Sequence, residues 1–119
     1  MPEAHKDFFR RLPWVVEHPN FIFVHCGLDP GEPLEGQIEQ LRRRDATLFK
    51  PKWLHSDGLA LVGHAQQTNK VVVAGHCILP EVRRIENKVL IDTGCGYGGM
   101  LTALLLPEFE IVQATRSEK

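Results

Sequence analysis

Cysteine, surplus charge and long apolar runs are all scarce in this chain, and each scarcity closes off a class of protein. The three cysteines, Cys26, Cys77 and Cys95, form neither a C-x-x-C pair nor an even set. A disulfide framework is thereby excluded, and reduced thiols in a cytoplasmic setting are expected. Fourteen Lys and Arg against fifteen Asp and Glu leave a net charge of −1. Without a basic stripe, neither nucleic acid nor an anionic membrane is the expected partner. No apolar run approaches a membrane span, and residues 1–7 lack the hydrophobic region of a signal peptide. Repeats and linkers are also missing, so residues 1–119 read as one domain's worth of chain with a modest core.

Two apolar runs end in histidine. Val71-Val72-Val73-Ala74 leads into Gly75-His76, and Phe21-Ile22-Phe23-Val24 leads into His25-Cys26-Gly27. Runs this short, rich in β-branched and aromatic residues and stopped by glycine, predict buried strands. Groups at the C-terminal ends of such strands commonly form the site of an α/β sheet. Two strands that each deliver a histidine suggest one convergent site. Neutral imidazole ligates Mn, Fe, Zn, Ni or Co well, so His25 and His76 are candidate metal ligands. His5, His18, His55 and His64 have no such context.

Elsewhere, Phe8, Phe9, Leu12 and Val15 lie at helical spacing within His5–Val16, with Pro13 forcing an end or kink. This stripe is expected to be core. A second helix is predicted from Leu34 to Asp45, with Arg42-Arg43-Arg44 at its end where cations favour the helix dipole. Trp53-Leu54-His55 and Leu59–Val62 are expected to pack down, with exposed loop over Gln66–Lys70. Strands are predicted at Glu81–Ile85 and Lys88–Ile91, with Glu86-Asn87 turning between them. Two more are predicted at Leu101–Leu106 and Phe109–Val112. The glycine-rich stretch Gly94–Gly99 satisfies G-x-G-x-x-G and invites a nucleotide or S-adenosylmethionine reading. That motif needs a following helix and a later acidic strand, and Pro107 comes too soon for the helix. It stands as a weaker alternative.

Several segments together resemble a known family. His5-Lys6-Asp7-Phe8-Phe9 with Leu12-Pro13 is similar to an "H-x-x-F-L-x-x-L-P" helix. Phe23-Val24-His25-Cys26-Gly27-Leu28, followed by Pro30-Gly31, Pro33-Leu34-Glu35 and Gln37, resembles "F-V-H-A-G-L-x-P-G-x-P-L-E-x-Q". Val73-Ala74-Gly75-His76 resembles "V-x-G-H". The ending Ile91-Asp92-Thr93-Gly94, Tyr97-Gly98-Gly99 and Leu101-Thr102-Ala103-Leu104 resembles "I-D-T-G … Y-G-G-x-L-T-A-L". These segments, in this order, resemble the C-terminal half of a calcineurin-like metallophosphoesterase of the serine/threonine phosphoprotein-phosphatase type. Its bacterial, Rhizobiales-like and diadenosine-tetraphosphatase members are the nearest in flavour.

The resemblance implies an α/β fold, half of a sandwich of mixed β-sheets flanked by helices. It implies two divalent ions, manganese foremost with Fe, Zn, Ni or Co as alternatives, at which water is activated for attack on phosphorus. His25 and His76 match the histidines that ligate the second metal. Arg44 or Arg42 matches the phosphate-binding arginine, and Asp92 and Tyr97 fall near the substrate. The implied substrate is a phosphorylated protein or a small phosphoester. The family's "D-x-H-G", "G-D-x-x-D-R-G" and "G-N-H" motifs are missing, and with them the bridging aspartate and the catalytic histidine. Cys26 also replaces a small residue. No catalytic group is therefore expected in this chain. It reads either as half of a hydrolase or as a non-catalytic or split-gene module, completed by an N-terminal half-domain or by a second copy.

Overall fold

The strand that ends in His25 lies next to the strand that ends near His76, and the rest of the fold follows from that pairing. The computed structural model describes residues 1–45, 47–62 and 68–115. His64, Gln66 and Gln67 lie outside them. Helix α1 (Glu3–Arg11) is followed by strands β1 (Val15–Glu17) and β2 (Phe21–Val24). Helices α2 (Leu34–Arg43), α3 (Lys52–His55) and α4 (Asp57–Leu61) then lead to β3 (Val71–Ala74). Next come β4 (Arg83–Ile85) and β5 (Lys88–Leu90), a single 3₁₀ turn at Cys95–Tyr97, and the hairpin β6 (Leu101–Leu105) and β7 (Glu110–Ala114).

The main sheet has the order β1-β2-β3-β5-β4. β2, β3 and β5 run parallel, while β1 and β4 flank them antiparallel. The mixed α/β architecture is the one the sequence predicts. Ile22, Val24, Val72, Ala74 and Leu90 point from one face of the sheet into the core. Ile38 and Leu41 of α2, Trp53 of α3 and Leu59 of α4 pack against them. This is the usual division of a parallel sheet, whose connections put helices on its face.

The boundaries differ from the sequence reading in instructive places. α1 stops at Arg11, because Pro13 cannot continue it and Arg44 donates to the carbonyls of Arg10 and Leu12. Val15 and Val16, assigned above to the end of a helix, instead form β1 against Val24 and Phe23. The apolar stripe of α1 is not core among the described residues: Phe8 is 57% and Phe9 58% exposed. α2 ends at Arg43, where Arg44 turns left-handed with φ 49°. The glycine-rich loop runs through its 3₁₀ turn into strand β6, not into a helix. No helix N-terminus therefore follows it to receive a nucleotide phosphate.

Candidate metal centre

Parallel pairing carries the two histidines to one place. Phe23 faces Val73 in the register, and two residues further Gly75 N–H donates to His25 C=O at 2.8 Å. His76, the next residue, turns its ring edge-on to His25 with ring centroids 5.1 Å apart. His76 Nδ1 and His25 Nε2 are 3.2 Å apart. Two cis nitrogen ligands at about 2.1 Å from one cation lie roughly 3.0 to 3.4 Å apart, from octahedral to tetrahedral geometry. The pair fits two adjacent positions of a single divalent ion. A dinuclear centre needs carboxylates that this cluster does not supply.

The backbone at His76 has been bent to achieve this. Its φ is +72°, and Cys77 N–H donates back to Gly75 C=O at 2.9 Å. A bond that spans two residues around a positive-φ centre is the rare, strained form of γ-turn. Such strain costs roughly 1–3 kcal/mol and collects at functional positions. His76→Gly should therefore be more stable than His76→Ala by about 1 kcal/mol. Urea denaturation of the two variants checks this, and equal midpoints would mean that the turn is unstrained.

The surroundings of His25 prepare it to bind a cation. Partial burial, followed by the neighbouring His76, holds its imidazole below the ordinary value, against an opposing pull from Asp92. His55 contributes in the same direction as His76. The neutral ring is the ligating form. Cys26 also belongs to the cluster: the ligand atoms of His25, Cys26 and His76 lie within 4.8 Å of one another. Cys26 is fully buried, however, and burial pushes its thiol up, away from the thiolate a metal requires.

The other residues singled out from the sequence are distributed unevenly. Asp92 is at the site. Its Oδ2 would lie 3.9 Å from a Cβ placed on Gly75, and its Oδ1 accepts from Gly94 N–H at 3.0 Å. Tyr97 is 88% exposed on the 3₁₀ turn. Arg42 is paired with Glu17 at 2.6 Å, and Arg44 is held by the carbonyls of Arg10 and Leu12. Sequence reasoning gives no site role to Asp57, as it cannot be assumed to replace the bridging aspartate, yet its Oδ1 lies 2.7 Å from His76 Nε2. The same reasoning missed Lys88, buried beneath the site with its amine on the carbonyls of Leu59 and Ala60.

No family model matches the chain. It is similar to the asymmetrical bis(5'-nucleosyl)-tetraphosphatase PrpE of Anoxybacillus flavithermus, with 52% identity over 80 residues, 66% of this chain and 29% of that protein. It is also similar to PrpE of Bacillus subtilis, 41% identical over 46 residues, which are 39% of this chain and 19% of the relative. The chain thus spans less than a third of these relatives. A crystal structure described as that of a candidate diadenosine tetraphosphatase superposes with a TM-score of 0.66 at 19% identity, covering all of this chain and 58% of the other. The chain shares the mixed α/β, calcineurin-like fold of that solved structure, and part of its sequence is similar to part of these PrpE proteins.

Proposed function

We propose that this chain contributes the two-histidine arm of a metal-dependent phosphoester hydrolase. Its substrates would be small phosphate compounds of the dinucleoside polyphosphate type. The observation that carries this reading is the 3.2 Å approach of His25 Nε2 to His76 Nδ1 at the ends of parallel strands. The names of the relatives favour a nucleotide polyphosphate over the phosphoprotein that the sequence motifs first suggest. A divalent ion bound there, manganese foremost and Fe, Zn, Ni or Co as alternatives, would supply Lewis acidity toward a phosphoryl oxygen.

This chain's own residues would do three things. His25 and His76 present neutral nitrogens from rigid strand ends, which holds their geometry. Asp92, beside Gly75, would meet the substrate near the pair, with Tyr97 further out on the exposed turn. Arg42 would have to release Glu17 to turn its fork on phosphate, whereas Arg44 holds the α1 carbonyls through Nη1 and would offer its remaining N–H groups. The remaining carboxylate ligands and the catalytic histidine would come from residues outside this chain, as an N-terminal half-domain or a second copy. Exposed Phe8 and Phe9 on α1, with Leu101 and Ile111 on the hairpin, offer apolar surface for that contact.

Calorimetric titration with Mn²⁺ and Zn²⁺, alongside hydrolysis of para-nitrophenyl phosphate and diadenosine tetraphosphate, tests the reading. One cation is expected to bind per chain, and His25→Ala and His76→Ala should each abolish that binding. Hydrolysis by the chain alone should be at background. Turnover that disappears in His76→Ala would mean that a second copy completes the site. A chain that binds neither metal would refute the proposal.

A further inference from the structure

Asp57 lies outside every motif discussed above, yet it makes the closest polar contact of either histidine. Its Oδ1 is 2.7 Å from His76 Nε2, on the side of the ring away from His25. A carboxylate only accepts, so His76 Nε2 must carry the proton. In the neutral ring the lone pair then falls on Nδ1, the atom that faces His25 Nε2. We infer that Asp57 is a positioning residue that fixes the tautomer and ring angle of His76, so that Nδ1 is the atom offered to a cation. Histidine ligands commonly donate their second N–H to a carboxylate for this purpose. The inference rests on the metal reading of the two histidines but assigns a role to a different residue.

The fold holds the Asp57 backbone in place from several directions, while its side chain is 82% exposed. Ser56 caps α4, its Oγ accepting from Leu59 N–H at 3.1 Å. At the other end of that short helix, Lys88 Nζ donates to Leu59 C=O at 2.7 Å and to Ala60 C=O at 2.5 Å. Cys77, directly after His76, brings its thiol to 3.9 Å from Asp57 C=O. Because the His76 backbone is fixed by its γ-turn, the ring has little freedom except rotation about its side-chain bonds. The Asp57 contact restricts that rotation.

Nitrogen-15 NMR of the histidine rings in the full 119-residue chain without metal, paired with Zn²⁺ titration, tests this inference. In the unsubstituted chain His76 is expected with Nε2 protonated and Nδ1 bare. Asp57→Ala should move the ring to a mixture of tautomers and weaken Zn²⁺ binding by at least about 10-fold. Asp57→Asn, whose amide oxygen still accepts from Nε2–H, should keep the tautomer and stay within about threefold in affinity. An unchanged tautomer in Asp57→Ala, or Asp57→Asn losing as much affinity as Asp57→Ala, would overturn it. Should the unsubstituted chain bind no Zn²⁺ while the tautomer still follows Asp57, the metal reading fails and the positioning role stands.

Discussion

Gln37→Leu is expected to destabilise the chain by about 3 kcal/mol, because one buried amide satisfies four partners at once. Gln37 is 2% exposed in the first turn of α2. Its Oε1 accepts from Asp29 N–H at 2.7 Å and from Trp53 Nε1–H at 3.0 Å. Its Nε2 donates to Asp29 C=O at 2.8 Å and to Glu32 C=O at 3.1 Å. Every donor and acceptor of the side chain is used. Leucine fills a similar volume but leaves all four partners without it. Each stranded group costs about 1–3 kcal/mol where water cannot reach, and less near Asp29 and Glu32, which are partly open to solvent.

The same network sets the loop that follows His25-Cys26-Gly27, so the loss should reach the metal site as a weaker Zn²⁺ affinity. Urea denaturation of Gln37→Leu, Trp53→Phe and the double variant would apportion it. A coupling of at least about 0.5 kcal/mol between the two positions is expected. A midpoint equal to that of the unsubstituted chain would mean that water replaces the amide.

The sequence exposes those parts of the site that local pattern determines. Two β-branched or aromatic runs, each stopped by glycine, locate both histidines, and parallel pairing needs only that these strands be neighbours. Asp57 is illegible by the same reasoning: it opens a five-residue helix whose position against β3 depends on tertiary packing. β1 escaped because three residues are too few to alternate, and Val15 also satisfied the helical spacing of α1.

The exposed stripe of α1 carries a different lesson. Apolar spacing reports that a face seeks cover, and it does not say whether the covering surface lies in the same chain. Phe8 and Phe9 keep the spacing while remaining more than half exposed. The motif arginines are similar, since a basic run at a helix end looks the same whether it meets phosphate or, as Arg42 and Arg44 do, Glu17 and the α1 carbonyls.

Lys88 opens β5 yet is 2% exposed, and its pH dependence should be the largest among the described residues. Its amine lies so close under the backbone that a Cβ on Gly27, where φ is +138°, would come within 2.5 Å of Nζ. Burial pulls the amine down from the ordinary 10.5 to about 8, against a weaker upward pull from Cys26 and Cys77. Between these two values the unfolded chain holds a proton that the folded chain has lost, so stability rises with pH across that window. The gap of 2.5 (10.5 − 8), at about 1.36 kcal/mol per pH step, is worth about 3 kcal/mol. The thiols of Cys26 and Cys77, pushed up by burial, act oppositely, because the unfolded chain loses their protons first. Lys88→Met retains those thiols and removes the amine, so subtracting its profile isolates the lysine. Unfolding free energies of both proteins from pH 7 to 10.5 should diverge by about 3 kcal/mol in favour of the lysine as pH rises. Parallel profiles would instead mean that the Leu59 and Ala60 carbonyls keep the buried amine charged.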